Sequence, residues 1–498
     1  LEKSTEKTKA ERLRERGTDK LLDEVKENQK QREEKSFNCT DLGNAERLMY
    51  EHGKDFKYHI ERKKWLHWNG KYWEIDDDSL LLKRLAVEVV RGLKKELPHF
   101  KDDEDGDQRK MFMKHIVNSQ AAPRINAMIQ LAKSVTDDAT VNQNMLDKDE
   151  YLINVANGTI DLKLLSMLGV TDAIIQEHRR EDLIIKYIDI PFYTDAECPT
   201  WLSFLNDIFM GNEQVIDYVQ RAIGYSLTGS NKEEVMFILY GPKGRNGKST
   251  FIKVILKILA DYAGSTDPST FMKKGGTARH TLAELVGLRF LSTSEVERGE
   301  ELAVQLIKQI TGRDPVEAER KYENPFTYLP QFKIWMLTNN KPNIYERRKA
   351  IWERIHLIEF NRYFEKHERD KDLDNKLEVE MPGILRWGLE GCMEWQKQGL
   401  NPPPEIIEAV KQYEAEQDII GQFIADHCHI EFNNEDMWEA PSRLYEDYKS
   451  WCAEGGFMSL NASNFGAEMK ERFSWKSKRV RWNGKETQKK VYVGICLK

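Results

Sequence analysis

Glycine, lysine and serine meet in LYGPKGRNGKST, residues Leu239 to Thr250, in an order that could hold a polyphosphate. Lys248 can reach phosphate oxygens as a point charge, and Ser249 can place its hydroxyl on Mg2+. Gly241, Gly244 and Gly247 free the backbone to curl its N–H groups around an anion, with Asn246 and Thr250 completing the loop. The usual spacing puts glycine five residues before the Gly-Lys pair; Pro242 stands there, so this loop is one residue longer. Gly247, Lys248 and Ser249 keep their order, so the extra residue falls upstream, where a bulge at Gly244 is expected to absorb it.

Triphosphate chemistry needs a metal acid, a water-positioning group and a sensor. GLRFLSTSEVERG offers Glu295 and Glu297 at the end of an apolar strand, two apart and so pointing the same way. Either could hold the Mg2+ shell while the other orients water; the plainer alternative is a pair of surface carboxylates. FKIWMLTNNKP ends a second apolar strand at Asn339, which can bond the attacking water or the γ-phosphate. AIWERIHLIEF carries Arg354 inside an apolar run. A buried arginine needs an anion, either the γ-phosphate of a neighbouring subunit or a carboxylate of its own chain.

These groups need rigid elements behind them. VMFILY reads as a strand buried on both faces, and STFIKVILKILADY as a helix with one apolar side. Strand, glycine loop and helix in that order give the phosphate loop its required context. WLSFLNDIFMGNEQVIDYVQRAIGYSLTG precedes them as a helical stretch, and the pattern after about residue 362 is helical until Pro402 to Pro404. Asn-Gly pairs at Asn69, Asn157 and Asn483 predict three tight hairpins. The last is basic at Lys478, Arg479 and Arg481 and follows two short helices, which predicts a winged helix.

Composition narrows the classes. The chain of 498 residues carries a net charge of −7, yet ten Lys/Arg face two acids between Lys470 and Lys498. A localised basic tail outweighs the total. Residues 1–36 alternate Lys/Arg with Glu/Asp and read as a solvated helix or tether, with no secretory signal. Mean hydropathy is −0.66 and no run predicts a membrane span. Six scattered cysteines without a C-x-x-C pair suit a reducing cytoplasm. The first residue is Leu, so the chain is expected to be cut from something longer.

The stretches NGKSTF, GLRFLSTSEVE, LIKQITGRDPVEAERKY, FKIWMLTNNKP and AIWERIHLIEF place Glu295, Asn339 and Arg354 at 47, 91 and 106 residues beyond Lys248. In this order and spacing the chain, from about Asp41 onward, resembles the phage and plasmid primase-helicases of the poxvirus and satellite-phage type, which are superfamily 3 helicases. That resemblance implies an α/β fold: an AAA+-like core with a parallel sheet at 231–362, after an α+β domain at 37–195 and a helical collar at 196–230. Helices at 363–416 and a winged helix at 417–498 would follow. It assigns Walker A to Lys248 and Ser249, Walker B to Glu295 alone or to Glu295 with Glu297, the sensor to Asn339 and a trans-acting finger to Arg354. Arg320 and Lys321 would track the DNA backbone from a channel hairpin.

The implied function is an ATP- and Mg2+-dependent replicative DNA helicase of a phage, plasmid or other mobile element. It would act as a ring, expected to be hexameric, moving 3′ to 5′ on single-stranded or forked DNA in a bacterial host. No zinc ribbon or acidic primase constellation is found; if priming belongs to this system, it is expected before Leu1 or on another protein. The alternative is an ATP-regulated origin-binding initiator without processive unwinding. A protein-remodelling machine is a third reading, against which the basic tail speaks.

Overall fold

The computed structural model describes residues 37–99, 107–273, 279–321, 325–344, 349–482 and 485–498, which form two compact units. The charged segment 1–36 lies outside them. The first unit holds the described residues up to 149 together with 176–187. Its strands Trp73–Asp76, Lys64–Trp68, Phe56–His59 and Thr140–Val141 form one sheet in that order, the last pair parallel. Helices Asp41–His52, Leu80–Gly92, Asp107–Ser119 and Ala122–Ala132 supply Leu48, Leu82, Val89, Phe112 and Met128 to a core shared with Phe56 and Trp65.

The first Asn-Gly signal gives a wider turn than predicted. Trp68 pairs with Trp73, leaving Asn69 to Tyr72 in the loop. The Asn69 side chain accepts the N–H groups of Lys71 and Tyr72, each at 2.9 Å, so a side-chain turn replaces the two-residue one.

The second unit contains 150–175 and 188 onward among the described residues. The chain therefore divides near 150 rather than 195, because Ile153, Val155 and Ile160 of the second hairpin join the larger core. Val155 pairs with Gly158, so that turn is centred on Ala156 and Asn157, one residue before the expected pair.

Five strands make the centre: β1 Met236–Tyr240, β2 Ala263–Thr266, β3 Phe290–Thr293, β4 Lys333–Thr338 and β5 Ile355–Glu359. Their order is β5-β1-β4-β3-β2, and every neighbouring pair is parallel. Phe237, Leu239, Trp335 and Leu337 turn to one core; Met236, Ile238, Ile334 and Met336 turn to the other. Alternation with apolar residues on both sides explains why VMFILY is a continuous hydrophobic run.

Helix α1, Lys248–Leu259, follows β1. Helices Pro199–Ile208, Glu213–Leu227 and Met381–Gln398 join it on the first face. Helix Val304–Thr311 and part of Pro404–Gln417 cover the second. Beyond Asp418, helices Ile419–His427, Pro441–Gly455 and Ala462–Arg472 enclose a separate core with the long hairpin Ser474–Trp482 and Lys485–Val493. The turn at Asn483-Gly484 lies outside the described residues. Among the described residues no helix is long and apolar enough to cross a membrane.

Candidate nucleotide-binding site

Parallel sheets place ligands at the carboxyl ends of their strands, where the strand order reverses. Here β1 leads into α1 on one side and has β5 on the other, so the loop Gly241 to Gly247 lies at such a point. Gly247 takes φ +88° at the start of α1, and a Cβ there would come within 2.5 Å of Ile208 Cγ2. The helix begins with no side-chain cap and no acid in its first turn. Its amide end and positive dipole are thus left for an outside anion.

Lys248 is 3% exposed. Its ammonium donates to Asn339 Oδ1 at 2.9 Å, Gly241 O at 3.1 Å and Asn246 Oδ1 at 3.3 Å. Among the described residues no carboxylate pairs with it. Burial pushes the Lys248 ammonium below its ordinary range, and the Glu295 charge acts in the opposite direction. A buried cation surrounded by neutral oxygens is electrostatically incomplete, and an anion completes it.

Asn246 absorbs the lengthened loop. Its side-chain amide donates to Lys243 O at 2.8 Å and Phe360 O at 3.3 Å, while its oxygen accepts from Lys248. Gly241 must be bare, since a Cβ would stand 2.1 Å from Asn246 Nδ2 and 2.9 Å from Lys248 Nζ. Gly244 is different: nothing lies within 4 Å of a Cβ there, and the positive φ of the bulge belongs to Arg245, at +63°. The expected conformational role of Gly244 is therefore taken by its neighbour.

Asn339 directly follows β4, in a turn fixed by Asn340 N–H donating to Thr338 Oγ1 at 2.9 Å. β3 ends at Thr293, so Glu295 and Glu297 stand beyond the strand rather than at its last residues. Both are exposed and flank buried Val296, which keeps them on one side of the segment. Thr293, the last residue of β3, pairs with Met336 of β4. Ser249 lines a cavity of about 710 Å3 with Ser265, Thr266 and Ser292 to Ser294. Gly247 and Thr250 line another, of about 670 Å3, with Phe204, Arg245 and Phe364. The start of α1 thus stands between two chambers. The first is an open groove lined by hydroxyls; the second, of small-molecule size, sets the Phe204 and Phe364 rings among charged side chains including Asp207, Arg369 and Asp370.

Phe204 and Phe364 carried no sequence signal, being ordinary apolar residues far from the motif. Arg354 lies away from these chambers, just before β5, at the amino end of the sheet. It pairs with Glu234 Oε2 at 2.7 Å, the intramolecular carboxylate that the sequence left open. Arg320 and Lys321 follow the short strand Val316–Ala318, which pairs with Phe326–Tyr328; the Arg320 guanidinium sits 4.8 Å from the Phe326 ring centre. Lys478 donates to the Glu435 carbonyl, Arg479 is exposed, and the side chain of Arg481 lies outside the described residues.

Family comparison adds a second line. A model described as "D5 N terminal like" matches residues 45–210, and one described as "Poxvirus D5 protein-like" matches 417–497. In these two segments the chain is similar to D5-type proteins. Between its two D5 regions, 239–351 match a "Family of unknown function (DUF5906)", the stretch that holds the phosphate loop.

The chain is 25% identical over 354 residues to "Putative helicase L207/L206" of Acanthamoeba polyphaga mimivirus, covering 66% of this chain and 35% of that protein. It is 25% identical over 247 residues to "Putative helicase 022R" of Frog virus 3, covering 45% and 25%. The chain spans about a third or less of these two relatives. It also aligns with "The A form apo structure of NrS-1 C terminal region-CTR" at 10% identity and TM-score 0.47, over 88% of this chain and 95% of that one. The bacterial host expected for a D5-type protein of phage or plasmid origin finds no support in relatives from a mimivirus and a frog virus.

Proposed function

We propose that this chain is the ATP-hydrolysing motor of a viral replication helicase, built as a superfamily 3 core with a C-terminal winged helix. One observation carries the reading: a buried Lys248 ammonium, with no carboxylate paired to it among the described residues, at the uncapped start of α1 and bonded to Asn339 directly after β4.

The residues fit ATP and Mg2+. Lys248 and the α1 amides would hold the β- and γ-phosphates, Ser249 and Glu295 the metal, and the chamber of Phe204 and Phe364 the nucleoside. Mg2+, held there, would supply charge neutralisation to the phosphates. Glu297 orients the attacking water, and Asn339 exchanges its bond to Lys248 for one to phosphate. Arg354 sits one strand length, about 16 Å, from the loop of its own chain, so any nucleotide it serves is bound by another copy in a ring. Arg320, Lys321 and the basic hairpin contact the DNA backbone, which gives little sequence preference.

Purified chain, assayed for DNA-stimulated ATP hydrolysis and fork unwinding beside Lys248→Ala, tests this reading. Wild-type hydrolysis lost in the variant is expected. Equal hydrolysis by both proteins defeats the site assignment, and hydrolysis without strand displacement favours the initiator reading.

A further inference from the structure

Arg354 is gripped by one nitrogen only. Its Nη1 pairs with Glu234 Oε2 at 2.7 Å and donates to the Glu234 carbonyl at 3.3 Å and to Thr311 Oγ1 at 3.1 Å. Thr311 is buried, and its own hydroxyl proton goes to Ile307 O at 2.7 Å, which leaves its oxygen lone pairs for the arginine. The Nε–H is buried and has no hydrogen-bond partner. Among the described residues nothing pairs with Nη2. Nε is closed off from outside, so Nη2 is the end of the guanidinium left for an incoming carboxylate or phosphate.

Glu234 reaches this position at a conformational cost. It takes φ +55°, a left-handed backbone that non-glycine residues rarely adopt. That conformation, two residues before β1, directs both the carbonyl and the carboxylate of Glu234 to the same arginine nitrogen. The bond from Met236 N–H to Arg354 O at 2.7 Å fixes the arginine backbone against the same segment. A surface ion pair between flexible side chains needs no such construction.

We infer that Glu234, assisted by Thr311, is a positioning residue: it holds Arg354 by Nη1 so that the free Nη2 presents to a phosphate carried by a second copy of this chain. This rests on the proposed ATPase reading and adds a residue that the reading does not contain. Glu234 touches no nucleotide itself. It fixes the direction of the guanidinium and partly neutralises it while no phosphate is present.

Complementation in the full-length chain tests the inference. Arg354→Ala keeps an intact phosphate loop, and Lys248→Ala keeps an intact Arg354. Each is inactive alone, and mixing them restores hydrolysis at mixed sites if Arg354 acts between subunits. Placing Glu234→Ala in the Lys248→Ala partner should cut the restored rate by about tenfold or more. Placing it in the Arg354→Ala partner should leave that rate unchanged, because the arginine it serves is already gone there. A general structural defect would act from either partner. Glu234→Gln, of the same shape, should give an intermediate loss of kcat with KM for ATP unchanged, and Glu234→Asp should recover part of it. Restored activity that survives Glu234→Ala and Glu234→Gln in the arginine donor overturns the positioning role. Faster hydrolysis also overturns it, since Glu234 would then restrain Arg354. No restored activity from the original mixture, with wild-type hydrolysis intact, removes the shared site instead; an inactive wild type removes the ATPase reading.

Discussion

Lys248 Nζ donates to Asn339 Oδ1 at 2.9 Å across 91 residues of sequence, tying the phosphate loop to the end of the adjacent strand β4. An incoming phosphate must compete for the same ammonium, so this bond is the point where occupancy of the loop reaches the sheet. Asn339→Ala should lower kcat for ATP hydrolysis by roughly 10- to 1000-fold, as loss of one transition-state donor does elsewhere. Nucleotide affinity should change less than tenfold. Isothermal titration beside steady-state kinetics separates the two; a variant that loses binding and turnover in equal proportion would make Asn339 a ground-state ligand.

Lys248→Ala should leave the unliganded fold as stable as wild type within about 1 kcal/mol, or slightly more stable. The substitution removes a buried cation whose partners are neutral oxygens, so it strands no charge. Thermal unfolding in the absence of nucleotide checks this. Added ATP should raise the wild-type midpoint and leave the variant unmoved. A large loss of stability without nucleotide would mean that the lysine holds the loop together rather than waiting for phosphate.

Gly241→Ala and Gly244→Ala should behave oppositely. The first puts a methyl group 2.1 Å from Asn246 Nδ2 and 2.9 Å from Phe360 O, so the loop must move. Overpacking of this kind costs about 1–3 kcal/mol, and nucleotide affinity should fall at least about tenfold with it. The second meets nothing within 4 Å and should be neutral to about 0.5 kcal/mol. Denaturant titration and nucleotide binding on both variants decide the matter. A damaging Gly244→Ala would return the bulge to that residue.

What the sequence disclosed follows from how local each feature is. The phosphate loop, its strand and its helix are contiguous, and the double-sided burial of β1 and β4 is written in unbroken apolar runs. Asn339 was legible because it ends such a run. Glu295 was placed on a strand that stops two residues earlier, since β3 ends where its pairing with Met336 and Thr266 ends, a property of the neighbours. Asn69 misled because its own side chain captures the turn amides. Glu234 lies 120 residues from Arg354 and Phe204 lies 160 from Phe364; nothing in either residue type announces a partner at that range.

His356 should make stability depend on acid. It packs against the rings of Tyr218 and Phe237, shares a hydrogen bond with the Tyr218 hydroxyl through Nδ1, and burial lowers its pKa from 6.5 to about 4. Between those values the unfolded chain binds the extra proton, so stability is complete above pH 6.5 and falls as pH drops towards 4. The loss reaches about 3 kcal/mol at most. His356→Gln keeps a hydrogen-bonding amide for Tyr218 and cannot protonate. Its unfolding free energy, followed from pH 7 to 4.5, should decline less steeply than that of wild type, since both share every other titrating group. Parallel curves would show that His356 is not held neutral.

The long C-terminal hairpin should bind nucleic acid through charge alone. Lys478 stands directly across from Lys489, and Ser477 from Lys490. Like charges opposite one another destabilise a sheet unless a polyanion lies over them. Lys476 is half-exposed and leans on Glu435 at 2.6 Å, a weak surface pair that phosphate can displace. Arg479 is exposed. If each contacts one phosphate, Arg479→Ala should reduce the slope of log K against log salt by roughly 0.7 on single strands and roughly 0.9 on duplex. A second substitution, Lys478→Ala, should add a similar decrement, and neither should alter preference among sequences of equal length. Fluorescence anisotropy across a salt series on two unrelated oligonucleotides measures both quantities. An unchanged slope would move the DNA contact off the hairpin, and a loss confined to one sequence would mean that these side chains read bases.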